Sequence, residues 1–234
     1  MRRIRRRLLA AAIVLLLMIP ASSQDLRRII RDAADRLAEQ VFADETAGQM
    51  ELTLPQREIC ALQLGVFDDG QRAQDEAERL QREGVRCIVW QKERMRIISG
   101  VALSKDALDF AAAHGHEAYV YRETMPSVTL RLTAAADALD QVRAVLTAPD
   151  STLMLLLEEE ALPLEEIVLR TRAMSQDAMD AHPENELFTS LARSLLSWCD
   201  LMDAMKSDNA QGLRGYAALT MSTVCRELRI ALMA

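Results

Sequence analysis

An α+β fold is predicted: a small antiparallel sheet carrying two helices on one face, preceded by an N-terminal membrane segment and followed by a helical C-terminal domain. Three observations predict it. The order strand, helix, strand, strand, helix, strand (βαββαβ) runs from Ile59 to Tyr121, an apolar run follows five arginines at the N-terminus, and helix-length apolar stripes fill the chain after Thr133. With 234 residues, 50% of them hydrophobic, and few Gly and Pro, the chain has room for one large or two small domains and the composition of a well-packed, mostly helical protein. The reading divides it into residues 1–23, a signal-anchor or signal peptide; 24–54, an amphipathic helix and linker; 55–123, the sheet module; and 124–234, the helical domain.

The first segment is M-R-R-I-R-R-R followed by the apolar run Leu8 to Ile19, then Pro20, Ala21, Ser22 and Ser23. Arginines ahead of an apolar run hold the N-terminus in the cytoplasm and send the remainder across the membrane. So short a run suits a signal-peptide core, with Ala21 and Ser23 as small residues for cleavage before Gln24. Extended through Ser23, the same stretch suits a retained single-pass anchor. Both alternatives stay open, and both place the chain after Gln24 outside the cytoplasm. Next, Asp25 to Phe42 carries Leu26, Ile29, Ile30, Ala33, Leu37 and Val41 at helical spacing, a helix that docks on the module or pairs with a partner. Asp44 to Met50 reads as a flexible link.

In the module, alternation from Ile59 to Phe67 puts Cys60, Leu62, Leu64 and Val66 on one face and Ala61, Gln63 and Gly65 on the other, as in a strand buried on one side. Asp68, Asp69 and Gly70 start a helix on which Ala73, Ala77 and Leu80 recur, and Gly84 stops it. Arg86 to Trp90 and Arg94 to Ser99 read as a hairpin around Gln91, Lys92 and Glu93. A second helix is expected from a Ser104 cap to about Ala113, ended by His114-Gly115, before a strand at Glu117 to Tyr121. Two strand-helix-strand units make an antiparallel sheet with both helices on one face and the other face open.

Past Tyr121, Ser127 to Leu132 suits one more strand. Thr133 to Ala234 then reads as four or five helices punctuated by Pro149, Pro163, His182-Pro183 and Gly212. Leu187, Leu191, Leu195, Trp198 and Met202 mark one apolar face; Leu213, Leu219, Val224, Leu228 and Leu232 mark another. Such stripes are core, although Met-rich faces also serve adaptable binding surfaces.

Charge excludes some chemistry. Taking the five N-terminal arginines from the 28 basic residues leaves 23 against 35 acidic ones, a net charge of about −12. A nucleic-acid role is excluded on that balance, because phosphate contacts need Lys and Arg to release counterions. Neither a C-x-x-C pair, a G-x-S-x-G motif nor a phosphate loop occurs. The cluster His114, His116 and Glu117 has no further partner in view and reads as a solvated loop, and Glu158, Glu159 and Glu160 as a solvated helix face rather than paired catalytic acids. No enzyme activity, metal or cofactor is therefore expected. Cys60, Cys87, Cys199 and Cys225 are an even count that an exported protein can oxidise; Cys199 and Cys225 flank a turn near Asn209 to Gly212, so a bridge between them stays open.

The stretch from I-C-A-L-Q-L-G-V-F, with Gln63, Gly65 and Phe67, through the helix ending at Leu80 and Gly84, to R-M-R-I-I-S-G with Arg96 and Gly100, resembles the SPOR domain, a peptidoglycan-binding module of bacterial envelope proteins. The resemblance covers roughly seventy residues. It implies a sheet order in which the third strand separates the first from the second, which keeps Cys60 and Cys87 about two strand spacings apart and unbridged. It also implies that the open face binds glycan strands stripped of peptides, at division septa or sporulation sites. On that face alternation places Gln63, Arg96, Ile98, Tyr119 and Tyr121, amides and guanidinium groups to meet sugar oxygens and tyrosine rings to meet sugar C–H faces. Val101 and Ala102 stand where the family pattern continues in Pro and Phe, and Met95 where an aromatic often precedes the Arg. The alternative is an envelope scaffold or protein-interaction module whose sheet face is covered by the C-terminal helices. The expected partners are glycan strands, the cytoplasmic membrane through the N-terminal segment, and an envelope protein for the helical half. An alkaline phosphatase fused at Ala234 should be active and a green fluorescent protein at the same point dark; the reverse pattern overturns the export reading.

Overall fold

Residues 48–134, 136–158, 162–181, 186–205 and 210–233 are described in the computed structural model of the chain. Within them the fold is α+β, with five α-helices and two antiparallel sheets. Strands are β1 (Gly48–Leu54), β2 (Arg57–Phe67), β3 (Ile88–Gln91), β4 (Met95–Ala102), β5 (Tyr119–Met125) and β6 (Val128–Ala134). Helices are α1 (Gly70–Arg82), α2 (Ala136–Leu157), α3 (Leu164–Ala181), α4 (Glu186–Ala204) and α5 (Ala210–Met233). The segments at 1–23 and 25–42 lie outside the described residues. Among the described residues, no helix is long and apolar enough to cross a membrane.

The four-stranded sheet has the order β3-β4-β2-β5, so β4 separates β2 from β3 and carries Cys60 and Cys87 apart. The pair β1-β6 forms a second sheet, with Leu54 opposite Val128 where β2 and β5 resume with Arg57 opposite Met125. Pro55 and Pro126 sit in the two gaps, one position out of register with each other, and lack the N–H that would carry the ladder through. The linker expected through Met50 is therefore strand from Gly48 onward. Its alternation of buried Met50, Leu52 and Leu54 is short in sequence and depends on a partner strand some eighty residues later.

One face of the large sheet packs on α1 and on the segment after β4. Ala77, Leu80, Cys87 and Ile97 form one cluster there, and Cys60, Leu62, Leu108 and Ala113 another. Asp69 caps α1 by accepting from the Arg72 N–H at 2.7 Å, and Gly84, at φ 89°, takes the left-handed conformation that ends it. The helix expected over 104–113 is instead two 3₁₀ turns, Lys105–Ala107 and Phe110–Ala113. Ser104 does cap the first, but Asp109 accepts from the Ala111 N–H at 2.9 Å and begins a new turn before one full α-turn has formed.

Register shifts around Gln63 also change the reading of β2. Beyond them Val66 lies opposite Arg96 rather than on the α1 face, and Phe67 takes its place in the α1 cluster. The Phe67 ring folds back over Gly65, where a Cβ would meet it at 2.7 Å, so a larger residue there would have to displace the ring.

The face expected to be open is covered. Ile59, Ala61, Trp90, Ile98 and Met125 of the sheet share one buried cluster with Leu146, Leu153, Leu195, Trp198, Leu219 and Leu228 of the helices. Where Gly215 of α5 faces β4, a Cβ would lie 3.3 Å from Val101 Cγ2. The boundary drawn at 123/124 falls inside β5. Pro149, expected to end a helix, lies inside α2, while Pro163 immediately precedes α3. Arg214 of α5 closes the C-terminus of α2, donating to the carbonyls of Leu155, Leu156 and Glu158, which a helix end otherwise leaves unpaired, and to that of Leu162 ahead of α3, at 2.5–2.8 Å. Among the helical-half thiols, Cys199 and Cys225 are both free and buried; Cys199 donates to the Val168 carbonyl at 3.5 Å, and the bridge held open above is not formed.

Burial pushes the Cys87 and Cys199 thiols up to about 11 and raises Cys225 well above its ordinary value, so all three are protonated at neutral pH and poor nucleophiles. Iodoacetamide at pH 7.5 should leave them unmodified until denaturant is added; prompt alkylation of the native chain overturns these placements. Because the folded thiols titrate later than unfolded ones, their contribution to stability is complete below about pH 8.5 and lost as pH rises towards 11. Replacing Leu62, fully buried between sheet and 3₁₀ turns, with Ala should lower unfolding free energy by about 2–5 kcal/mol. Replacing exposed Arg131 should change it by less than about 0.5 kcal/mol in the same urea titration.

Candidate functional site

The residues picked for the open face divide into two groups. Ile98 is 2% exposed and lies in the cluster beneath the helices; no ligand reaches it while α5 is in place. Gln63, Arg96 and Tyr121 are half-buried, and Tyr119 is 55% exposed. These four gather towards one end of the sheet because β2 pairs Gln63 with Tyr119 on one side and Ile98 on the other, two residues from Arg96.

Their polar groups meet one another. Arg96 donates from Nη1 to Gln63 Oε1 at 2.5 Å, and its guanidinium stacks 4.6 Å from the Tyr121 ring centroid. Tyr121 in turn meets Trp90 edge-on with centroids 5.5 Å apart. Lys92, from the turn between β3 and β4, donates to the Tyr121 hydroxyl at 2.9 Å and lies 5.6 Å from both aromatic ring centres. Cation-aromatic contacts of this type are worth about 0.5–2 kcal/mol, more as water is excluded. Tyr119, apart from them, donates its hydroxyl to Glu117, and that contact raises the phenol above its ordinary range.

Beneath this corner lies Glu123, only 4% exposed. Its carboxylate accepts from Lys92 Nζ at 2.7 Å and from the Ser222 hydroxyl at 3.4 Å, with Arg226 Nε at 3.4 Å as a second cation. Ser222 and Arg226 belong to α5, so the sheet holds the helix through a charge that it buries. A carboxylate removed from water needs such partners. Extending the alternation Tyr119, Tyr121 by one step would have put Glu123 on this face; nothing in the sequence pointed to Lys92 or to α5 as its partners.

The other sequence candidates separate. His116 pairs with Glu83 at 3.0 Å, His114 turns the chain at φ 50°, and Glu117 holds Tyr119. Among the described residues no group of three His, Cys, Asp or Glu converges as metal ligands would. Glu158 ends α2, and Glu159 and Glu160 lie outside the described residues. Comparison with protein-family models, curated proteins and solved structures finds no match.

Replacing Glu123 with Ala should leave Lys92 and Arg226 facing each other and cost about 3–5 kcal/mol in a urea melt. Gln63→Ala and Arg96→Ala, at the half-open corner, should each cost about 1 kcal/mol. Equal losses from all three would show that the corner, not the buried carboxylate, holds α5 on the sheet.

Proposed function

We propose that this is a non-catalytic, exported envelope protein that works as a scaffold or protein-interaction module, its SPOR-like sheet serving as the seat for its own C-terminal helices. The observation that carries this reading is the burial of the central sheet face under α5, with Ile98 in the shared core and Glu123 held from both sides. A glycan strand would need that area as a flat, exposed platform, and covering it costs the protein its widest candidate binding surface. The sheet order β3-β4-β2-β5, with Cys60 and Cys87 unbridged, supports the resemblance to the SPOR domain. Export and attachment to the cytoplasmic membrane rest on the arginines and apolar run of residues 1–23.

A second reading keeps peptidoglycan as the partner through the uncovered corner. It is favoured by the exposure of Tyr119 beside Gln63, Arg96 and Tyr121, an aromatic and guanidinium set suited to sugar faces and oxygens. Division or sporulation sites would be its setting.

The two readings part in a sedimentation assay of the full chain with purified sacculi, before and after amidase has removed the stem peptides. The scaffold reading expects no retention on denuded glycan above that of an unrelated protein of similar charge. Retention that rises after amidase treatment and falls with Gln63→Ala or Arg96→Ala would overturn it in favour of the glycan reading.

A further inference from the structure

The four-stranded sheet is incomplete along one stretch of β4. Strand β3 pairs with it from Gln91 opposite Met95 to Ile88 opposite Ile98 and then ends, whereas β4 runs on to Ala102. Past that point β2 is the one strand paired with β4 among the described residues. The change coincides with a bulge. Gln63 lies opposite Ile98 and Leu62 opposite Gly100, so Ser99 is the extra residue on β4; bulges of this kind re-aim a strand and end its pairing. The chain ahead of β3 turns away instead of following β4, with Val85 and Cys87 buried in the cluster under α1. An inner strand is left with an edge at Gly100 to Ala102, all three residues half-buried.

A cleft of about 400 Å³ runs along this edge, with Ser99, Gly100 and Val101 on its lining. Gly215 and Ala218 of α5 form one wall, and Ala107, Ala111 and Ala112 of the 3₁₀ segment another. The two walls belong to opposite faces of the sheet, since α5 meets Val101 while the 3₁₀ segment packs with Leu62. The cleft is therefore a slot in the plane of the sheet, between its two covering layers. Glycine and alanine walls leave space for a backbone with short side chains. Charge has little part in it, because Asp109 caps a 3₁₀ turn and Arg214 donates to carbonyls at the end of α2. The Ser99 hydroxyl on the lining is buried with no hydrogen-bond partner among the described residues.

From this arrangement we infer that the slot is a strand-addition site, where an extended segment of a partner polypeptide with short side chains such as Ala, Ser and Gly pairs with Gly100–Ala102 in the lane that β3 leaves. The occupant is a polypeptide because a strand edge presents N–H and C=O groups in alternation, and another extended backbone matches them. Side chains of the added strand would point by turns towards α5 and towards the 3₁₀ segment. Backbone pairing supplies the affinity, and the two small-residue walls select against bulk. The inference does not rest on export or on wall binding, and its site is separate from the aromatic corner.

The test uses the full chain and the capped hexapeptide acetyl-Ala-Ser-Ala-Ala-Ser-Ala-amide, with amide hydrogen exchange followed residue by residue by NMR. At about 1 mM peptide, exchange within Gly100–Ala102 should slow by about threefold or more, and β5, at the far edge of the sheet, should be unaffected. The same peptide methylated at every amide nitrogen keeps its side chains but has no donors, and should bind at least about tenfold more weakly. Leu in place of each Ala should also weaken binding, the opposite of what non-specific apolar adhesion gives. Ala111→Trp, at an exposed lining position, should fill the slot and abolish the protection. Absence of slowing within Gly100–Ala102, tighter binding of the Leu peptide, or unchanged binding by the methylated peptide or the Ala111→Trp protein would each overturn the assignment.

Discussion

Arg229 is the side chain on which the arrangement of sheets and helices depends. It is 1% exposed on α5, and its guanidinium reaches Asp150 of α2 at 2.6 Å, the Pro55 carbonyl at 2.7 Å, the Pro126 carbonyl at 2.9 Å and the Met125 carbonyl at 3.3 Å. Arg57 approaches the same Asp150 oxygen at 3.3 Å. One cation thus ties together two helices and both corners where the strand ladder breaks. The breaks themselves supply the acceptors, because a proline in each connection interrupts the ladder and leaves nearby carbonyls without strand partners. A buried ion pair of this kind adds little net stability over an apolar substitute, but removing one partner strands the other. Its effect is to specify a single docking of α5, since a helix shifted by one turn would carry the guanidinium away from every acceptor.

That docking has functional consequences. With Arg229 anchored at one end and Arg214 on the end of α2 at the other, α5 is drawn along the sheet face, and Ser222 and Arg226 meet Glu123 between them. Gly215, Ala217 and Ala218 let the helix come close. What stays uncovered is the corner of Arg96, Tyr121 and Tyr119, and the cleft beside Gly212. The molecule offers solvent two small features in place of one broad platform.

Much of the sheet was legible because its signals are local. The alternation of β2, the Asp69 cap, Gly84 and the hairpin around Lys92 each rest on neighbouring residues, and each places an element within a few positions of where it forms. Errors arose where a local signal met a non-local partner or a competing cap. The strand β1 is indistinct until β6 pairs with it, and Asp109 restarts a turn that helical spacing alone carries through. Pro149 looks like a helix terminator, yet the packing of Leu146 and Leu153 on either side of it holds α2 together. For the site, alternation put Gln63, Arg96, Ile98, Tyr119 and Tyr121 on one face, but alternation says nothing about what lies over that face.

By itself, then, the sequence determined the strands β2 to β5 with α1 between the first two of them, and the sides of β2 and β4 up to their bulges, because periodicity, caps and turn residues act within a few positions of one another. Only the tertiary structure decided that the sheet face is covered, that Ile98 is core, that Glu123 is a buried anchor and that Arg229 joins four elements. These depend on residues about 80 to 175 positions apart. Their meeting is governed by how two apolar surfaces and a few buried charges satisfy each other, a condition that no single segment carries.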